Sequence, residues 1–172
     1  LEYGLLKAKM SSNMRTYTDD ETTRKELIRA KAKKKTAKRE QLWVRGRLGL
    51  IIDGTAHNIL KLGIKKKELE DVGYDTYMIF VNTSLDIALQ QNQDRARKLP
   101  DDVIHKTWEA VQGIKNELSN LFPGGFVEII NNRAGEDVFR KTFVQVGKLI
   151  KTPPNKPAAK MWIAQELEQN KR

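Results

Sequence analysis

Three short runs of apolar residues limit the fold of this chain more than any other feature. Residues 48–52, 77–81 and 126–130 are almost uninterrupted by polar side chains. Such runs are typical of parallel strands that are buried on both faces. Helical patterns separate them, and this alternation favours a parallel sheet whose ligands gather beyond the carboxyl ends of the strands. The sequence therefore predicts an α/β fold, in which helices flank a parallel sheet.

Helix signals lie on both sides of the apolar runs. Thr18 followed by Glu21 has the form of a capping box, so a helix should begin there and end before Gly46. Further helices are expected at about 58–72, 84–92, 101–118, 136–150 and 158–168. A length of 172 residues suits one domain. Residues 1–172 would then comprise a basic helix (about 18–45), a βα core (about 48–130) and C-terminal helices (about 136–170).

The composition excludes several classes of site. The chain has no cysteine, which rules out disulfides and thiolate metal sites, and its two histidines show no metal-ligand spacing. No apolar run approaches the roughly 18 residues of a membrane span, and no signal-peptide pattern opens the sequence. We therefore expect a cytoplasmic protein without a membrane partner.

The positive charge is concentrated in one block. The net charge is +10, and residues 24–47 hold eleven Lys or Arg against two Glu, a local balance of +9. Such a block attracts a phosphate-rich partner, and Lys33, Lys34 and Lys35 at its centre are candidate nucleic-acid contacts. A solvated lysine-rich helix face explains the same composition equally well.

The first candidate for chemistry is Asp53, which follows the first apolar run. A carboxylate at a strand end can hold Mg²⁺ or orient a substrate, although Asp in this position also caps turns. Thr55 and Asn58 share either role, as substrate contacts or turn residues. His57 is interpreted as a turn residue rather than a catalytic base.

Two arginines form the second candidate. Arg95 and Arg97 lie in a polar connection between two predicted helices, where their guanidinium groups could close over a triphosphate. Loop solubility is the alternative explanation. After the third apolar run, Asn131 and Asn132 could read an adenine edge or form an ordinary turn. Trp108 lies on the apolar stripe of its helix and is expected in the core.

Taken together, residues 48–121 resemble the phage-type polynucleotide 5′-kinases and the related zeta-toxin-like P-loop kinases. The resemblance rests on residues 49–58 (GLIIDGTAHN), 70–76 (EDVGYDT), 80–97 (FVNTSLDIALQQNQDRAR) and 100–104 (PDDVI). It implies that Asp53 is the strand-end aspartate, that Asn92 is the lid-helix asparagine, and that Arg95 reaches the ATP phosphates. Arg97 is a second candidate, and ATP and Mg²⁺ are the implied cofactors.

One departure from this family is severe. No G-x-x-x-x-G-K-[ST] loop occurs, although such kinases use that loop to hold the phosphates and magnesium. The strand that carries it would lie at the centre of the sheet, and its absence exposes unpaired backbone groups. We therefore expect an incomplete kinase-like sheet, which a preceding segment or another copy of the chain would complete.

Three functions follow from these observations. The first is a portion of an ATP-dependent kinase that transfers a γ-phosphoryl group to a hydroxyl acceptor, such as a nucleic-acid 5′-OH, and is inactive without the P-loop. The second is a non-catalytic nucleic-acid-binding module that uses residues 24–47. The third is a phosphotransferase toxin acting on a small sugar nucleotide, which has the same fold.

Overall fold

The structure is a computed structural model that describes residues 1–132 and 135–171. The described chain is mixed α/β and mostly helical, with a small parallel sheet of two strands flanked by helices. It divides into two compact units. The first comprises Leu1–Gly54 and Leu85–Glu109, and the second comprises Thr55–Ser84 and Ala110–Arg172.

The first unit is helical. It contains α1 (Glu2–Lys7), a 3-10 turn (Met14–Thr16), α2 (Asp19–Arg45), α4 (Leu85–Asp94) and most of α5 (Asp101–Gly113). The short α1 packs against α2, where the backbone of Gly4 touches the side chain of Ile28. A Cβ at Gly4 would overlap that side chain, so glycine permits the close approach of the two helices.

The predicted start and end of α2 are confirmed. The Thr18 hydroxyl accepts from the Glu21 amide at 3.3 Å, and the Glu21 carboxylate accepts from the Thr18 amide at 3.0 Å, so the capping box is complete. At the other end the Leu48 amide donates to the Trp43 carbonyl and the Arg47 amide donates to that of Val44. This is a Schellman motif, with Arg47 in the left-handed region at φ +51°.

The second unit contains the sheet. Its elements are α3 (Ile59–Asp71), β1 (Met78–Asn82), α6 (Lys115–Leu121), β2 (Phe126–Ile130), α7 (Glu136–Lys151) and α8 (Pro157–Gln169). The strands are parallel, with Met78 opposite Phe126 and Asn82 opposite Ile130. The sequence placed both strands correctly, to within one residue.

The two faces of this sheet differ in exposure. Phe80 is buried and stacks on Phe126, with 5.8 Å between ring centroids. Leu69, Leu118, Phe122 and Ala159 are the other buried apolar residues of this unit. Because successive strand residues point to opposite faces, Ile79 and Val81 lie on the other face, where both are exposed. Val127 and Ile129 of β2 share that second face and are partly buried, so its exposed apolar side chains belong to β1.

Two predicted elements differ from the structure. The helix expected to run from 101 to 118 is broken at Ile114 into α5 and α6. Gly113 ends α5, and its lack of a side chain weakens the helix at this point. Trp108, expected in the core, is only partly buried.

The predicted strand at residues 48–52 is wrong. These residues form no strand, and Leu48, Ile51 and Ile52 are exposed, Ile51 completely. The Leu48 amide is used to close α2, and residues 48–51 line a shallow depression with Trp43. Apolar character alone does not make a strand, because a strand also needs a neighbour to accept its backbone hydrogen bonds.

Candidate nucleic-acid interface

Six basic side chains lie along one face of α2. At about 100° per residue, Arg24, Lys31, Lys34, Lys35, Lys38 and Arg45 fall within an arc of about 100°. They extend over about 31 Å of helix axis, and all six are exposed. We call these six residues the basic stripe.

The stripe is free of acidic partners. Within residues 1–132 and 135–171, none of the six forms an ion pair or a side-chain hydrogen bond. The helix has no buried residue. It is rich in Lys, Arg, Ala and Glu, which are strong helix formers, so it can keep its shape without burying a wide apolar face. The stripe is therefore a straight row of cations available to a partner.

The opposite face of α2 is different because it carries Glu26, which pairs with two of the cations there. Glu26 accepts an ion pair from Lys25 at 3.1 Å and from Arg29 at 3.8 Å. The hydrogen bond from Lys25 and the charges of Lys25, Arg29 and Lys33 hold the pKa of Glu26 below its ordinary value. Of the three predicted lysine contacts, Lys34 and Lys35 lie on the stripe, whereas Lys33 lies on the face of Glu26.

The predicted magnesium and substrate residues lie in residues 48–58, which form no helix or strand. Asp53 belongs to the first unit and is exposed, without a partner among the described residues and without a preceding strand. Thr55 and Asn58 belong to the second unit. The Thr55 hydroxyl lies 2.7 Å from Nδ1 of His57. Asn58 caps α3 by accepting from the Lys61 amide at 2.9 Å, which is the turn role considered for it.

The predicted lid segment forms a loop in which the side chain of Asn92 is hydrogen-bonded to the backbone of Leu99. Asn92 is only 1% exposed, and its amide nitrogen donates to the Leu99 carbonyl while its carbonyl accepts from the Leu99 amide, each at 2.9 Å. Nε of Arg15 donates to the same Leu99 carbonyl at 2.9 Å, and Arg15 also pairs with Asp101. The Met14 amide donates to the Lys98 carbonyl at 3.0 Å. The structure therefore uses Asn92 to shape a loop.

Arg95 and Arg97, the arginines of the predicted lid, differ in exposure. Arg95 is exposed and Arg97 is partly buried. Across the described part of the chain, neither has an ion pair or a hydrogen bond.

Asn131 and Asn132, which follow β2, form hydrogen bonds to β1 and to the residues that follow it. The Asn131 amide donates to the Asn82 carbonyl at 2.7 Å and so continues the pairing of the strands. The Asn132 side-chain oxygen accepts from the Ser84 amide at 2.8 Å and from the Thr83 hydroxyl at 3.1 Å. Asn132 thus ties together the segments that follow the two strands.

A polar network that the sequence reasoning missed lies beside the sheet. Asn82 donates to Glu128 at 2.8 Å, Lys115 donates to the same carboxylate oxygen at 2.6 Å, and Gln112 donates to Asn82 at 2.8 Å. Hydrogen bonds from Lys115 and Asn82, with the charge of Lys115, hold the pKa of Glu128 below its ordinary value. The sequence feature that could have indicated this network is Glu128, the single charged residue of an apolar strand.

Metal and membrane features are both absent from the described residues. No group of three or more His, Asp or Glu is arranged there to hold a metal ion. Among the described helices, none is long and apolar enough to cross a membrane.

Comparison with known proteins gives no relative: no family model, no curated protein and no solved structure matches this chain.

Proposed function

We propose that this chain binds nucleic acid through the basic stripe of α2. The observation that supports this proposal is the row of six exposed, unpaired cations along about 31 Å of one helix face. A solvated face of mixed charge would not separate its cations from its acids in this way. On α2 Glu26 and Glu40 fall on the other side, and Asp20 in the first turn is the acidic residue that lies within the arc of the stripe.

Phosphate contacts would dominate the binding. Each cation that neutralises a phosphate releases a condensed counterion, so affinity falls as salt rises. If all six stripe residues contact phosphates, the slope of log K against log salt is about −5 for duplex DNA and about −4 for a single strand. Such contacts carry no sequence information, so binding should be nearly independent of sequence.

The two faces of α2 supply a matched test. Lys35→Gln removes one cation from the stripe, whereas Lys33→Gln removes one cation from the face of Glu26, with the same change in net charge and helix propensity. We expect Lys35→Gln to reduce the magnitude of the salt slope by about 1, and Lys33→Gln to leave it unchanged. Fluorescence anisotropy with a labelled oligonucleotide across a salt series measures both. Equal slopes for the two variants would contradict the proposal.

A second candidate, phosphoryl transfer from ATP, rests on the unpartnered Arg95 and Arg97. Guanidinium groups without carboxylate partners suit a polyphosphate. Asp53 would supply the magnesium ligand in that reading, and the missing P-loop functions would come from residues outside this chain. Tripolyphosphate binding measured by calorimetry tests it, because binding should weaken in Arg95→Ala and remain in Lys35→Gln. Equal affinities in the two variants would exclude the lid role.

A further inference from the structure

The helix α7 carries an apolar stripe that the second unit leaves exposed. Phe139, Phe143 and Ile150 lie along one side of the helix and are 66%, 79% and 77% exposed. Val138, Thr142, Val146 and Leu149 occupy the adjoining side and are partly buried. The inward side of α7 is thus already used, and the stripe of large side chains beside it faces outward.

We propose that this stripe is a dimer interface in which α7 of one copy packs antiparallel on α7 of a second copy. Phe143 is at the centre of the helix, so a two-fold axis there places it against its own symmetry mate. Phe139 then lies over Gly147 of the other copy. A Cβ built at Gly147 has no atom within 4 Å, so there is open space for an aromatic ring.

The charges along α7 favour the antiparallel arrangement. Its first turn carries Glu136 and Asp137, and its last turn carries Lys148 and Lys151. With the two-fold axis at Phe143, Lys151 of one copy lies one residue along the helix from the position opposite Glu136 of the other, on the same flank of the stripe. A parallel pair would instead place like charges together, at a cost in free energy.

The exposed area is consistent with a modest dimer. At roughly 200 Å² for a phenylalanine side chain, Phe139 and Phe143 alone would bury about 300 Å² per copy. A standard interface buries about 800 Å² per partner, so Ile150 and the flanking charged side chains must supply the remainder.

Charge-swapped variants test this interface in the full chain by sedimentation equilibrium. Glu136→Lys alone and Lys151→Glu alone each create two repulsive pairs and should be mainly monomeric. An equimolar mixture of the two should dimerise again, because both pairs become attractive in the heterodimer. Phe143→Glu should raise the dimer dissociation constant by at least about 30-fold, since it buries two like charges at the centre. Gln145→Glu, an exposed control off the stripe, should leave it unchanged.

Three outcomes would overturn the proposal. The first is a wild-type chain that is monomeric across the whole concentration series. The second is a mixture of the charge-swapped variants that stays monomeric. The third is a monomeric wild-type chain that sediments with anionic phosphatidylserine vesicles through Phe143, which would assign the stripe to a lipid surface.

Discussion

Removal of the Asn92 side chain tests whether this residue stabilises the fold or contacts a ligand. Asn92→Ala deletes both hydrogen bonds to Leu99. The Leu99 carbonyl keeps the bond from Nε of Arg15, but the Leu99 amide loses its side-chain acceptor. A net loss of about 1 kcal/mol per hydrogen bond, with the added cost of leaving a partly buried amide unpaired, gives about 2–3 kcal/mol.

Thermal unfolding followed by circular dichroism measures this loss. For a chain of this size, about 2–3 kcal/mol lowers the midpoint by about 4–12 °C. Gln93→Ala is the matched control, because Gln93 is the exposed neighbour on the same helix and should change stability by less than about 0.5 kcal/mol. An Asn92→Ala chain that unfolds at the wild-type midpoint would refute the structural role and favour a ligand contact.

Two further predictions concern the second unit. Gly73 has φ +103°, and a Cβ there would lie 2.6 Å from the backbone nitrogen of Ala159, so Gly73→Ala should destabilise by about 3 kcal/mol or more in urea unfolding. Gly113→Ala, which meets nothing within 4 Å, should be neutral or slightly stabilising, and equal losses in both variants would contradict the close packing of α8. Burial raises the pKa of Glu70, but hydrogen bonds from Lys66 and Thr76 and the charges of Lys66 and Lys156 outweigh it and hold the pKa below its ordinary value. Its stabilising contribution is therefore fully present above pH 4.5 and is lost as the pH falls through the lower folded pKa, so Glu70→Gln should flatten the acid limb of a stability–pH curve. An unchanged acid limb would show that Glu70 has no stabilising partners.

Local signals in the sequence were sufficient for most helices. The capping box at Thr18 and the side-chain cap at Asn58 predicted the starts of α2 and α3, because each signal acts within four residues of the chain. Gly73, at the left-handed position after α3, predicted that end equally well. The same position after α2 is occupied by Arg47, a residue type that gives no such signal.

Signals that depend on distant residues were less reliable. The run at residues 48–52 has strand composition, but strand formation depends on a partner elsewhere in the chain, which composition does not reveal. Asn92 was placed on its helix as the lid asparagine, but its pairing with Leu99 was not predicted, because that pairing depends on the path of the loop. Arg15, far from that loop in sequence, gave no local signal at all.

The charge pattern of α2 was predicted in part. The helix and its positive balance were predicted, and helical spacing then separates the stripe from the face of Glu26. Lys33, Lys34 and Lys35 were predicted together as nucleic-acid contacts because they are adjacent in the sequence. Adjacent helix residues are about 100° apart, so the three cannot face one partner together.

The salt dependence of nucleic-acid binding tests the central proposal most directly. The full chain should bind a labelled oligonucleotide with a slope of log K against log salt of about −4 to −5. The triple variant Lys31→Gln, Lys35→Gln, Lys38→Gln should reduce the magnitude of this slope by about 3. A slope near zero for the wild type, or a triple variant that keeps the wild-type slope, would contradict the assignment of the basic stripe to phosphate contact.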